Sequence, residues 1–167
     1  MPSAILGGWS LSWIGNYFSG SPIDLSGSNP LPNGWNGGTN RANVLPGDLG
    51  YPGFNKANFD FVNRAASVNN KYINTALISD PPVLTLGTGA KRYAQLRNFG
   101  TINEDIGLQK NVVFGDRVRW QLRAEFLNAF NRHNLSGINT SVTSAQFGQV
   151  TGVTGNRSIQ IGTRFNF

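Results

Sequence analysis

RVRWQLRAEFLNAFN, residues 117–131, is the stretch on which the fold turns. Val118, Trp120, Leu122, Ala124 and Phe126 fall on every second position, and Phe130 lies farther along the same side. Arg117, Arg119, Gln121, Arg123 and Glu125 fill the positions between them. Strand side chains alternate faces with period two, whereas a helix would scatter both sets around its axis. The segment therefore reads as a strand with one oily face and one charged face.

The same alternation recurs on both sides of it. In DIGLQKNVVFGD (105–116), Ile106, Leu108, Val112 and Phe114 oppose Asp105, Gly107, Gln109 and Asn111. Lys110 interrupts the apolar side, where a long stem lets its ammonium reach an interface. Gly115-Asp116 joins the two runs as a tight hairpin turn. Near the start, GGWSLSWIGNYFSG (7–20) sets Trp9, Leu11, Trp13, Gly15 and Tyr17 against Ser10, Ser12 and Asn16, with Ile14 and Phe18 blurring the pattern. Gly7-Gly8 reads as a turn upstream, and PIDLS (22–26) either extends this strand or opens a short hairpin. The chain closes on RSIQIGTRFNF (157–167), with Ile159, Ile161, Thr163, Phe165 and Phe167 on one face and Ser158, Gln160, Gly162, Arg164 and Asn166 on the other.

Between these strands lie two long connections. Residues 27–100 and 132–156 are rich in Gly, Pro, Asn, Ser and Thr and show no sustained period. Connections of that length without structure argue against a compact soluble domain. Charged residues make up only 13% of the 167 residues, about half of what soluble proteins carry. There is no cysteine, hence no disulfide framework, thiol chemistry or cysteine zinc site. The formal net charge of +6 comes from dispersed Lys and Arg, the longest run being Lys91-Arg92, and so does not form a nucleic-acid patch. MPSAILGGWS lacks the basic and apolar regions of a signal peptide. No apolar run approaches the ~20 residues a membrane helix needs, but a barrel strand needs only ~9–11 alternating ones.

Four strands, one tight turn and two long connections fit an outer-membrane barrel, which has short turns at one end and long loops at the other. From Trp9 to Tyr17 the strand runs roughly 27 Å at ~3.4 Å per residue. Tilted by ~35–45°, it spans a height near the apolar band of such barrels and places Trp9 and Tyr17 at the two interfaces, where aromatic girdles belong. The fold class expected is all-β: an antiparallel meander forming an open piece of a large barrel. Trp9, Leu11, Trp13, Tyr17, Ile106, Leu108, Val112, Val118, Trp120, Leu122 and Phe126 are expected to face lipid. Arg119, Gln121, Arg123, Glu125 and Arg164 are expected to face a wet lumen.

LGGWSLSWIGNYFSGSPI, KYINTALI (71–78), NEDIGLQKN (103–111), RWQLRAEFLNAFNRHNL (119–135) and IQIGTRFNF (159–167) resemble, in that order, the end of TonB-dependent outer-membrane receptors. The likeness is to the Oar-like group, which carries a carboxypeptidase-regulatory-like domain. Its most specific parts are the Glu-Phe-x-Asn-x-Phe-Asn stretch and the terminal aromatic. The resemblance implies strands at about 7–18, 103–114, 117–131 and 157–167, belonging to the C-terminal part of a much longer receptor. It also implies an assembly signal at Ile159, Ile161, Phe165 and Phe167, and a C-terminus on the periplasmic side. The partners implied are outer-membrane lipid, the barrel-assembly machinery, the remaining barrel and plug, and TonB acting on the whole receptor to import a bulky ligand.

Catalysis has little to stand on. The single histidine, His133, is eight residues from Glu125, the nearest carboxylate. Glu104 and Asp105 are adjacent in a strand and so point to opposite faces, a strand-end acidic pair rather than a working one. GTGAK (87–91) lacks the spacing of a phosphate loop. No enzyme activity and no cofactor is expected. Trp35, Tyr51 and Phe54, with Phe59 and Phe61, are candidate ligand-contacting aromatics of the first long loop. The alternative reading is a freestanding secreted β-sandwich, a glycan-binding or adhesin-like module, whose strands would bury their apolar faces against one another. A small oligomeric pore built from several copies is a third.

Overall fold

The computed structural model describes residues 6–27, 40–115 and 117–167, and Trp35 lies outside them. The chain divides into two units: residues 1–18, 101–134 and 155–167 form one, and residues 19–100 and 135–154 form the other.

The first unit is a four-stranded antiparallel sheet. Numbering strands in chain order, it contains β1 (Trp9–Phe18), β6 (Thr101–Phe114), β7 (Val118–Leu127) and β10 (Ser158–Asn166), arranged β1-β6-β7-β10. The β7 strand stops at Leu127, short of the expected residue 131. Asn128 adopts a left-handed backbone (φ 52°) and Asn131 another (φ 51°), so the chain turns out of the ladder. Gly115, at φ 61°, opens the three-residue connection 115–117 between β6 and β7. Before β1, the Gly8 carbonyl accepts the Asn111 N–H at 2.8 Å and prolongs the β1–β6 pairing. A Cβ at Gly8 would stand 2.3 Å from the Asn111 carbonyl oxygen, and φ is +76°, so the turn there requires glycine.

Register fixes the faces. Leu11 pairs with Leu108 and Leu108 with Ala124, which in turn pairs with Ile161. Trp13 pairs with Ile106, Ile106 with Phe126 and Phe126 with Ile159; Val112, Trp120 and Phe165 form another such row. Residues directly opposite one another share a face. The alternation read in each strand separately therefore adds up to one continuous apolar face and one continuous polar face.

The second unit overturns the expectation of long connections without structure. It contains β2 (Pro22–Ile23) paired with β5 (Tyr93–Arg97), β3 (Asn43–Val44) paired with β4 (Ile78–Ser79), and three short 3-10 turns. β8 (Asn134–Ile138) pairs with β9 (Val150–Thr154). Ile23, Leu25, Ala42, Leu49, Ile73, Ile78 and Leu96 form a buried cluster, and Phe59, Leu135 and Val150 form a second. Thus residues 22–26 do not lengthen β1: Pro22 and Ile23 pair with Arg97 and Tyr93 instead. The strands of this unit run for only two to five residues, too short for a sustained period, so alternation does not mark them in the sequence.

Polar side chains fix the irregular backbone of this unit. Asn70 is fully buried; its amide donates to the carbonyls of Asp60 and Arg64 at 2.9 Å each and accepts the Asp60 N–H at 2.8 Å. The backbone N–H groups of Asn63 and Val62 are donated to Asp60 Oδ1 at 2.9 Å and hold that carboxyl below the usual range. Burial pushes the Tyr72 phenol above its ordinary value.

Candidate functional site

The feature that separates this molecule from a soluble protein is the apolar face of its sheet. Leu11 is 72% exposed and Ile161 75% exposed; Trp9, Trp13, Tyr17, Ile159 and Phe165 are also largely open. Every residue of β1 and of β10 is exposed. Ile106, Leu108, Val112, Val118, Trp120, Leu122 and Phe126 lie on the same face at intermediate exposure, flanked by neighbouring strands. All eleven residues expected on the lipid-facing side, and Ile159, Ile161 and Phe165 of the terminal strand, are thus brought to one surface. A patch this wide far exceeds the scattered apolar exposure of monomeric soluble proteins. A β-sandwich would bury it, and here it is open.

Aromatic side chains gather toward its ends. Trp120 stacks on Phe165 with ring centroids 6.1 Å apart and donates its indole N–H to Thr163 Oγ1 at 2.7 Å. Trp9, the first residue of β1, carries the Lys110 ammonium 4.9 Å from its ring centroid. Lys110 also donates to the Gly7 carbonyl at the strand end, and its residue is buried. The lysine on the apolar side is therefore folded toward the strand end, where an aromatic face and a backbone carbonyl receive its ammonium.

On the other face stand Arg119, Gln121, Arg123, Glu125 and Arg164, as expected to share a side, together with Asn103, Asp105, Gln109 and Asn111. Arg123 pairs with Glu125. Asn111 Oδ1 accepts from Gln121 at 3.1 Å and from Gln109 at 3.3 Å, and Arg164 donates to Asn166 at 3.0 Å. These are short amide and guanidinium ladders on a wet surface. Among the described residues, no group of three or more His, Asp or Glu is placed to hold a metal ion.

The end of the sheet away from the 115–117 turn holds residues that alternation alone did not single out. Glu104 and Asp105 do point to opposite faces. Glu104, buried on the apolar side, accepts from Arg132 Nη2 at 3.2 Å and Nε at 3.3 Å, and from the Tyr17 hydroxyl at 3.3 Å. Asp105 accepts the Asn128 N–H at 2.8 Å and the Asn103 amide at 2.9 Å. The Asn128 amide donates to Gly155 O at 2.7 Å and Arg132 O at 3.0 Å, and accepts the Arg132 N–H at 2.8 Å. Asn131 Oδ1 accepts the Arg157 N–H at 3.2 Å, and Asn134 bonds both backbone groups of Ile102 at 3.0 Å. Asparagine at every third position, 128, 131 and 134, just past a strand was the available signal, because Asn tolerates the left-handed region and bonds nearby backbone.

Of the first-loop aromatics within the described residues, Phe54 and Phe59 pack against other rings or the core, while Phe61 is 48% exposed. Phe54 meets Tyr72 edge-on at 5.1 Å and Phe99 at 5.7 Å; Phe59 is a core residue with Phe61 against it at 5.0 Å. Tyr51 carries the Lys71 ammonium 5.0 Å from its ring centroid.

An antiparallel sheet with long strands, one open apolar face rimmed by aromatics and one polar face is the wall of a membrane β-barrel, since a barrel alternates lipid-facing and lumen-facing residues. A family model for an outer membrane beta barrel domain matches residues 1–160. The chain belongs to that family, and it is barrel wall of an outer-membrane protein. No curated protein and no solved structure matches it.

Proposed function

We propose that this chain is the C-terminal wall segment of a TonB-dependent outer-membrane transporter of the Oar-like group, and that the complete receptor imports a bulky ligand through a plugged barrel. The observation that carries the reading is the connectivity of the sheet. β6 and β7 are joined by three residues, whereas β1 to β6 and β7 to β10 are joined by long segments leaving from the opposite end. Short periplasmic turns and long extracellular loops are the habit of such barrels. That orientation puts the 115–117 turn and the C-terminus on the periplasmic side and the long connections outside. The closing strand, with Ile159, Ile161, Phe165 and Phe167, serves as the assembly signal. Arg119, Gln121, Arg123, Glu125 and Arg164 line the lumen beside the plug.

Transport, TonB coupling and the Oar-like group rest on the sequence blocks 71–78, 103–111 and 119–135 and on the terminal strand. The outer edges of β1 and β10, which no strand pairs among the described residues, add a physical argument: in lipid every backbone group must be paired, so both edges need further strands of a larger barrel. The segment is a scaffold with loops, and it performs no chemistry of its own. Its partners are outer-membrane lipid, the assembly machinery and the rest of the receptor.

Reading the coding DNA upstream of Met1 tests the proposal. An in-frame continuation encoding further alternating strands, a plug and a TonB-contacting segment is the expected result. A stop codon followed by a dedicated promoter and ribosome site would contradict it, and would favour a small oligomeric pore.

A further inference from the structure

Cations stand at both ends of the apolar face, and at the end away from the 115–117 turn two arginines share one rim with aromatic rings. Toward its 115–117 end Lys110, on the apolar side of β6, is buried and engaged by Gly7 and Trp9, and Arg117 stands exposed in the connection itself. At the opposite end Arg132 is about half exposed, its side chain at 48%. Its Nε and Nη2 are given to Glu104, and its guanidinium carbon lies 5.6 Å from the Phe130 ring centroid. Nη1 has no hydrogen-bond partner among the described residues. Arg157, one residue before β10, is exposed; its backbone N–H is tied to Asn131, while its guanidinium has no partner among the described residues. The acid nearest Arg132, Glu104, has a side chain only 4% exposed and is occupied by Arg132 and Tyr17. Exposed Phe130 and Tyr17 lie beside this cluster.

We infer that Arg132 and Arg157 form a docking site for a net-anionic lipid headgroup at the end of the sheet from which the long connections leave. The chemistry is that of a membrane interface: aromatic rings at headgroup level and guanidinium N–H groups above them, matched to phosphate oxygens. The Glu104 pair fixes the Arg132 fork through Nε and Nη2 and leaves Nη1 without a partner among the described residues. The Asn128–Asn131 turn sets both arginines at the same rim, because it bonds the backbone of Arg132 and of Arg157. The inference rests on the membrane-wall reading and names which lipid that wall prefers and where.

The test is lipid retention by the complete outer-membrane protein that carries this segment, in phosphatidylcholine bilayers doped with phosphatidylglycerol. The wild type is expected to enrich phosphatidylglycerol in its bound lipid, and 0.5 M salt is expected to weaken the enrichment by screening. Arg157→Gln touches no internal contact and is expected to lower the preference about fivefold, the ratio equivalent to ~1 kcal/mol per basic residue near an anionic surface. Arg132→Lys keeps the charge near Glu104 but loses the fork and is expected to lower it less. Equal retention of both lipids by the wild type, or a preference unchanged in Arg157→Gln, would overturn the site. So would displacement of the bound lipid by millimolar inorganic phosphate. A complete protein whose apolar face shows lipid contact but no anionic preference sinks this inference alone; one in which this sheet lies outside the bilayer sinks the wall reading with it.

Discussion

The two units of this chain use apolar side chains in opposite ways. In the unit built from residues 19–100 and 135–154, the buried side chains are Ile23, Leu25, Leu49, Ile73, Leu96, Val150 and their neighbours, and Asn70 is the polar exception. In the sheet unit, among the described residues, the buried ones are Glu104, Lys110, Asn128 and Asn134, while leucine, isoleucine and tryptophan stand outside. The first arrangement is stabilised by removing apolar surface from water. The second gains nothing from water on its oily face and requires an apolar solvent there. The same hydrophobic rule, applied in two solvents, produces both.

The largest effect that would test this contrast lies in the water-solvated core. Ile73→Ala, at a fully buried position, is expected to destabilise its unit by about 2–5 kcal/mol. Amide exchange should quicken across residues 40–100 and leave the sheet protected; equal loss of protection in β6 and β7 would show that the units do not stand apart. A substitution on the sheet asks the converse question. Ile161→Arg is expected to cost about 2–4 kcal/mol in a bilayer if that position lies near its midplane. Gln160→Arg, its neighbour on the polar face, is expected to change stability by less than about 0.5 kcal/mol, as surface changes usually do. Urea titrations in lipid vesicles separate the two, and similar losses would erase the distinction between faces.

Smaller effects sharpen the picture at the turn and in the loop unit. Asn128→Ala removes three side-chain hydrogen bonds and places alanine at positive φ, and is expected to cost about 1–3 kcal/mol, with Asn128→Gly recovering only the backbone part. The readout is the unfolding midpoint in lipid. The smallest is a pH effect. Asp60 is held below its usual value by backbone N–H donors, so its contribution is present above the unfolded carboxylate pKa and is lost as pH falls through the lower folded value. The protection of the Val62 and Asn63 amides, measured relative to the intrinsic exchange rate at each pH, is expected to fall in that acid window and to show no such step in Asp60→Asn.

The comparison also explains what could be read from the sequence. The sheet was legible because its strands are long and face two different solvents, so Trp120 and Arg119 had to alternate. Strand ends came within a few residues, and β7 ended early only because Asn128 and Asn131 turn left-handed. Lys110 was recognisable as an intruder, although the Gly7 carbonyl, 103 residues away, and the ring of Trp9, its register partner in β1, are what receive it. The loop unit was opaque for a different reason. Its core is assembled from isolated residues such as Leu25, Leu49 and Ile73, each in irregular backbone held by side-chain bonds like those of Asn70, and no period marks them. The Glu104–Arg132–Tyr17 cluster was hidden likewise, since its members come from three separate segments.

The most direct test of the central claim exploits the absence of cysteine. Single cysteines placed at each position from 118 to 126 in β7, in the chain as it sits in its native outer membrane, would carry spin labels probed by oxygen and by a water-soluble nickel chelate. Oxygen access is predicted at 118, 120, 122, 124 and 126, and nickel access at 119, 121, 123 and 125. Equal access along the strand, or nickel access on the Trp120 side, would contradict a sheet whose oily face meets lipid.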